Sequence, residues 1–414
     1  MMSKEVDIVI VGAGAAGLMA GIWAGRTHPH RSILLLDGAR RLGTKILASG
    51  GGRCNVTHDR IDAGAYAGSS RPTIQKVLRR FDLPQTVAFF RELGVELKRE
   101  EGGKLFPTTD SSKTVLNALL TAARQAHLTI QHPRRVETVE RTGEGFLVVG
   151  TWGQVRAGRL VLSTGGKSLP ESGSDGHGYA IARSLGHSIT PRIFPALVPL
   201  TLPRDHFLCA LSGIAVPATL DLWSGSGKRL ASFTDATLCA HFGLSGPSVL
   251  DISRYYLDAR FDDPQARLTV NWLPGKTTEQ LDRELQRLGP ATPLGYLRTC
   301  LPERLARALC EQAGVEPGAP GHRLTRPQRK ALAHAVTQLP LPITGHRGYR
   351  FAEATAGGVP LAELHLKTLE SRLCPGLYCC GEVCDVDGRI GGFNFQWAWA
   401  SGYTVGVSVG VFPR

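Results

Sequence analysis

The start of this chain lacks the basic segment, apolar stretch and small-residue cleavage site of a secretion leader. Its first residues, MMSKEVDIVIVGAG, run straight into a strand-like apolar stretch, so no leader is expected. Uninterrupted apolar runs stop short of the roughly 18 residues that span a bilayer. These two absences set aside membrane-embedded and exported classes, and a soluble, cytoplasmic protein is expected. Aromatic residues are scarce at 7 %, and the basic stretch 276–350 holds only Tyr296 and Tyr349 for stacking. That argues against sequence-tolerant binding of single strands. The nine cysteines are an odd number, and without a leader reduced thiols are the default. Cys379, Cys380 and Cys384 come nearest to a metal cluster. They have no second ligand pair at zinc spacing, and the first two lie in an apolar run. Small buried hydrophobes are expected there, and no metal.

What is present points elsewhere. The 414 residues with 42 % apolar content support a large core and two or three structural units. The 49 glycines fall in short clusters, which suits tight turns and close approaches of backbone to ligand. Lys plus Arg outnumber Asp plus Glu by 48 to 35, a net +13. Residues 276–350 hold 12 Lys/Arg against 6 Asp/Glu. A basic surface of that kind draws polyanions by releasing counterions, although a merely soluble basic protein would look the same.

The most informative segment comes first. Val6–Val11 is a short β-branched run that reads as a buried parallel strand. It leads into Gly12-Ala13-Gly14-Ala15-Ala16-Gly17, and Leu18-Met19-Ala20 continues as helix. Gly12 makes the tight turn, Gly14 lets the backbone approach a pyrophosphate, and Gly17 lets helix and strand pack closely. The amides at the helix start, Ala15 and Ala16 among them, face the anion. A second strand, Ser32–Leu36, ends at Asp37, followed by Gly38. A carboxylate there suits the hydroxyls of an adenosine ribose. Strand, glycine turn, helix and terminal acid together predict dinucleotide binding.

Further segments decide which dinucleotide. Lys45 opens a stretch leading to Ser49-Gly50-Gly51-Gly52-Arg53-Cys54-Asn55. Three successive glycines between Ser and Asn build a loop whose backbone can lie against a planar ring, though a flexible surface loop is the alternative. Arg159–Ser163 reads as a strand closing with Thr164-Gly165-Gly166. Near the other end of the chain, Gly376–Cys380 is a strand ending in Gly381-Glu382, an acid placed for the ribityl hydroxyls of a flavin. Gly391-Gly392-Phe393-Asn394 then precedes a helix from Phe395 to Gly402. Amides at that start would face the flavin N1 and C2 carbonyl, where negative charge develops on reduction. Val136 completes the expected cofactor set.

These segments resemble the BaiN/RdsA family of FAD-dependent oxidoreductases, the YhiN-like flavoproteins. The similarity rests on GAGAAG at 12–17, KILASGGGRCNVT at 45–57 and LFPTTDSSKTV at 105–115. It continues with STGGKSLPESGSDGHGYAIARSLGH at 163–187, PALVPL at 195–200 and HFGLSGPSVLDISR at 241–254. ATAGGVPLAEL at 354–364 and GLYCCGEVCDVDGRIGGFNFQWAWASGY at 376–403 complete it. The resemblance implies an α/β protein: a discontinuous Rossmann-type FAD-binding domain at 1–194 and 343–414, carrying an inserted β-rich, barrel-like domain at 195–274 and a helical subdomain at 275–342. Strand-like runs at Val216–Trp223 and Leu268–Trp272, and helical spacing at Leu301–Leu309 and Arg326–Val336, agree with it. One stretch departs from the family pattern. Ala236-Thr237-Leu238-Cys239-Ala240 stands where members often carry a Glu-Leu-Leu-Phe-Thr-like run, so substrate contacts on that strand do not carry over.

The resemblance further implies non-covalent FAD and reduction of C=C bonds. One branch is linked to dihydrouridine in large-subunit ribosomal RNA, another to steroid-type enones, and related proteins to amine oxidation. Only one dinucleotide fingerprint is present, so NADH or NADPH would dock transiently as reductant. The basic insert favours ribosomal RNA as partner, with a target base flipped out to reach the flavin. A small-molecule substrate and a non-catalytic RNA-binding flavoprotein are the alternatives. A proton must accompany the hydride. Cys54 in the glycine loop is the expected donor, with loop packing as its other reading. Arg53 could fix the loop, bind pyrophosphate or steady an anionic substrate. His241 lies in the insert, where a structural role is the commoner one.

Overall fold

The computed structural model describes residues 4–411. Its chain divides into two compact units, one running to Pro195 and resuming at Glu353, the other spanning Ala196–Ala352.

In the first unit, β1 (Lys4–Val11) is flanked by β2 (Ile33–Leu36) and β4 (Gly153–Leu162), with β3 (Thr129–Gln131) and β5 (Leu377–Cys379) beyond them. Every pairing among these five is parallel, in the order β3-β2-β1-β4-β5. This is the strand order of a dinucleotide-binding sheet. Ile8, Val9, Ile10, Leu35, Leu36, Leu160, Val161 and Leu162 are fully buried, as expected for strands covered on both faces. The fifth strand comes from the far end of the chain, so the sheet closes only when both ends fold together.

Helix α1 (Ala15–Thr27) follows the glycine turn, α2 (Thr44–Gly52) carries the triple glycine, and α3 (Phe393–Val409) comes from the C-terminal region. Glycines let α3 lie against α1. A Cβ at Gly402 would sit 2.6 Å from the Ala16 carbonyl oxygen, and one at Gly406 would sit 2.6 Å from that of Ala20. Met19, Trp397, Trp399 and Val405 fill the buried core around this contact. Among the described residues no helix is long and apolar enough to cross a membrane.

The second unit contains a seven-stranded sheet in which the long strands Ala215–Trp223 and Arg229–Ala240 pair antiparallel. Helices Thr278–Gln286, Glu303–Gln312 and Arg326–Thr337 follow. Leu281, Leu285, Leu305, Leu309, Leu332 and Val336 from these helices share one buried core with Leu220, Leu268 and Val270 of the sheet. Sheet and helices therefore stand on a common core that crosses position 275.

A candidate flavin site built from both chain ends

The turn after β1 is fixed by contacts that admit no side chain. Gly12 has φ +106°, and its amide donates to the Leu36 carbonyl at 2.8 Å. A Cβ on Gly12 would lie 2.4 Å from the Ser163 carbonyl oxygen, and one on Gly17 only 1.9 Å from that of Gly12. Ser163 Oγ donates to the Val11 and Gly12 carbonyls, each at 2.9 Å, and so ties the end of β4 to the turn. Gly14 differs from its neighbours. It caps α1 with no side-chain bond, and nothing lies within 4 Å of where its Cβ would be. The sequence thus keeps glycine there with no protein neighbour to require it, at a helix start whose amides attract an anion.

Asp37 stands at the end of β2. One carboxylate oxygen accepts from the Ala13 amide at 2.6 Å, the other from Ala39 at 2.7 Å. The acid therefore braces the glycine turn, and each oxygen keeps a further lone pair for a hydroxyl. The Arg134 amide donates to the Asp37 carbonyl, and a Cβ on Gly38 would meet that of Arg135 at 3.1 Å. Val136, buried just beyond, is thereby brought near the same strand end.

The triple glycine closes α2 rather than forming an open loop. Ser49 leaves the helix with ψ 150°, and Gly50, Gly51 and Gly52 follow at φ +56°, +67° and +87°. Three successive left-handed residues are accessible to glycine and costly for any other type. Gly51 and Gly52 meet nothing within 4 Å on the Cβ side, whereas Gly50 packs on Phe106. Arg53 locks the turn in place: it donates to Glu100 at 2.8 Å and lies 4.1 Å over the Phe106 ring.

Cys54 is fully buried with φ +62°. Burial pushes its thiol up from the ordinary 9.0 to about 12, against a smaller lowering by Ser49. Burial likewise raises Cys379 and Cys239 to about 12. The sign follows. The unfolded chain ionises these thiols near pH 9 and the folded chain does not, so their stabilisation is complete below pH 9 and is lost as pH climbs from 9 towards 12. The melting temperature should therefore fall steadily above pH 9. Iodoacetamide at pH 8 should label the exposed Cys300 and spare Cys54 until the chain is denatured. Rapid labelling of native Cys54 would contradict this.

The far end of the chain supplies the other wall. Lys45 Nζ donates to Glu382 and to Ser168 Oγ, each at 2.8 Å, and Ser168 Oγ donates to the second Glu382 oxygen at 2.9 Å. Thr355 Oγ1 accepts from the Lys167 and Ser168 amides at 2.7 and 2.9 Å. Gly166 fits beneath, where a Cβ would meet Thr355 Oγ1 at 2.5 Å and Glu382 at 2.7 Å. Gly381 has φ +75° and approaches Ala16, and its carbonyl accepts from the Trp397 indole at 3.0 Å. Trp399 donates to the Val56 carbonyl at 2.9 Å, tying α3 to the strand after Cys54. The α3 start is reached through Gly391 and Gly392, both left-handed, with no side-chain cap. Asn394 is spent on Gly388, donating to its carbonyl and accepting from its amide. Phe393 stacks on His58 with ring centroids 4.8 Å apart.

Three buried polar atoms here have no partner among the described residues: Asn55 Oδ1, Thr164 Oγ1 and Ser174 Oγ. Ser174 Oγ faces Gly165, whose Cβ would lie 2.6 Å from it. Buried polar groups are seldom left unpaired. Polar orphans, open glycines and an uncapped helix start fit a nucleotide with phosphates and hydroxyls. Ser163, Ser168, Ser174 and Thr355 were not foreseen as site residues, although Ser163, Ser168 and Ser174 lie in the block 163–187 and Thr355 in 354–364.

A model of the HI0933-like protein Rossmann domain matches residues 6–408. The chain belongs to this family. HI0933-like relatives include the 3-dehydro-bile acid delta(4,6)-reductase of Clostridium scindens, 34 % identical over 96 % of this chain and 98 % of that protein. Another is the ribosomal RNA dihydrouridine synthase of Escherichia coli K12, 35 % identical over 97 % of each. Among solved structures, E. coli quinol fumarate reductase superposes with TM-score 0.53 at 18 % identity, over 99 % of this chain and 70 % of that one. A 3-ketosteroid delta1-dehydrogenase from Sterolibacterium denitrificans gives 0.54 at 12 %, over 99 % and 100 %. At those identities the likeness shows the fold. The family and its relatives make this protein a flavin-dependent oxidoreductase, with the resemblance to the BaiN/RdsA group upheld.

Proposed function

We propose that this protein holds FAD non-covalently and reduces the C5=C6 bond of a uridine in 23S ribosomal RNA, with NADH or NADPH as electron donor. In this reading the first unit is the FAD-binding domain, with an inserted β-rich domain at 195–274 and an inserted helical subdomain at 275–342. The amides of Ala15, Ala16 and Gly17 would take the pyrophosphate, Asp37 the adenosine ribose, and Glu382, oriented by Lys45, the ribityl hydroxyls. Gly50–Gly52 and the α3 start would border the isoalloxazine. The chemistry the bound FAD brings is hydride delivery from its N5 position. Cys54, buried and held as a thiol, packs the glycine turn in this account, and the accompanying proton comes from another group.

The observation that carries the RNA reading is a basic cluster in the second unit. Arg329 and Asp282 pair at 2.6 Å and tie helix Arg326–Thr337 to helix Thr278–Gln286. Around them Arg287, Arg323, Arg326 and Lys330 are exposed, and none has an ion-pair partner among the described residues. The His322 amide donates to the Gly289 carbonyl at 2.9 Å, bringing the Arg323 turn beside the end of the first helix. Unpaired cations on adjoining elements suit a phosphate backbone. A relative named for ribosomal RNA dihydrouridine synthesis supports the same reading. The relative named as a bile acid reductase supports a second one, reduction of a small enone.

Mass-spectrometric mapping of ribosomal RNA tests the first reading. Deletion of the gene should remove one dihydrouridine, and the wild-type gene should restore it. An unchanged map, with turnover of free enones, would establish the second. The double variant Arg323→Glu, Arg326→Glu should weaken ribosomal RNA binding at least roughly tenfold at low salt and flatten the log–log salt slope by about one per arginine.

A further inference from the structure

We infer that Phe242, Arg347 and Phe351 form a platform that seats one nucleotide of the RNA, its base on Phe351 and its phosphate on Arg347. This rests on the RNA reading above. The edge of the second unit's sheet brings the three together. Strand Leu200–Thr201 pairs with Gly243–Ser245 on one side and Gly345–His346 on the other. Phe242 immediately precedes the first partner and Arg347 immediately follows the second. The Phe242 carbonyl accepts from Leu202 at 3.1 Å, and the Arg347 amide donates to Pro199 at 3.1 Å, so both backbones are pinned.

The guanidinium of Arg347 lies 4.3 Å from the Phe242 ring centroid and 3.8 Å from that of Phe351. Two rings against one guanidinium restrict its movement. Its edge N–H donors have no hydrogen-bond or ion-pair partner among the described residues. A restrained guanidinium with open donors matches the paired oxygens of a phosphate. Phe351 is 44 % exposed, one of the few large hydrophobic side chains left so among the described residues. Arg347 covers one face of this exposed ring, so the other face is left for a base to stack on while the cation takes its phosphate. The pairing was hidden in the sequence because Phe242 and Arg347 are 105 residues apart and Phe351 falls just past the basic stretch.

The test uses the flavin-loaded protein and unmodified large-subunit ribosomal RNA transcribed with 4-thiouridine. Irradiation should cross-link the RNA to the peptide containing Phe351. Phe351→Ala should abolish that cross-link and weaken binding roughly 5- to 150-fold, while Phe351→Trp should keep both. Arg347→Met should weaken binding and lower the salt slope by about one. Each variant must retain its flavin absorbance and melting temperature, which Phe351→Trp secures if the alanine protein is damaged. Wild-type affinity in both Phe351→Ala and Arg347→Met, or cross-links confined to residues 283–330, would overturn the platform and leave the RNA reading standing. No RNA binding by the wild-type protein would remove both.

Discussion

Gly17→Ala is expected to yield protein that carries no flavin and melts well below wild type. The new methyl would begin 1.9 Å from the Gly12 carbonyl oxygen and 2.6 Å from Ser163 Oγ. Neither can withdraw easily. Gly12 is itself in the left-handed region and is bonded to Leu36, and Ser163 is bonded to Val11 and Gly12. Overpacking a rigid core of this kind costs about 3 kcal/mol, and here the displaced atoms are the dinucleotide turn itself. Gly14→Ala should behave in the opposite way. Its φ of −77° suits alanine, and its methyl would enter open space. The apoprotein should melt like wild type, while FAD affinity falls at least roughly tenfold if the pyrophosphate sits where we propose, since the methyl would then meet it. Thermal melting with and without FAD, read beside absorbance near 450 nm, where oxidised flavins absorb, separates the two cases. Unaltered FAD binding in Gly14→Ala would place the pyrophosphate elsewhere.

Gly402→Leu should be the second severe lesion, although it lies in a helix far along the chain. A Cβ at 402 would sit 2.6 Å from the Ala16 oxygen and 2.9 Å from Met19 Cβ. A leucine must push α3 off α1, opening the core that includes Met19, Trp397 and Trp399. Ala16 lies in the glycine turn proposed to hold the pyrophosphate, so the same displacement would reach the cofactor there. Melting temperature and FAD affinity should therefore fall together, by about 3 kcal/mol or more in stability. Gly143→Ala, at a position with nothing within 4 Å, is the matched control and should shift stability by less than about 0.5 kcal/mol. Full flavin loading in Gly402→Leu would mean that the two ends do not depend on each other.

The two lesions differ in how visible their causes were in the sequence. The Gly12–Gly17 turn was legible because strand, glycines, helix and Asp37 are consecutive, and each follows from local backbone rules. The close contact of α3 with α1 was not, since Gly402 and Gly406 are ordinary glycines until a partner helix is known. The bridge from Lys45 to Glu382 spans 337 positions, and no local periodicity announces such a pair. Ser49–Asn55 was expected as a loop lying against a planar ring; it closes a helix with three left-handed glycines, a feature set by φ rather than by composition. Burial of Cys54 was equally hidden, because its neighbours in the chain are glycines and polar residues and the ring above Gly50 is the distant Phe106. In the second unit, leucines at helical spacing declared a buried face but could not say that the partner was the sheet ahead of them.

The most direct test is the ultraviolet–visible spectrum of the freshly purified protein, with mass spectrometry of whatever heat releases from it. A yellow protein with flavin bands and a released mass equal to FAD is the predicted result. A colourless protein that also fails to take up added FAD would contradict the assembly of one cofactor site from the two ends of the chain.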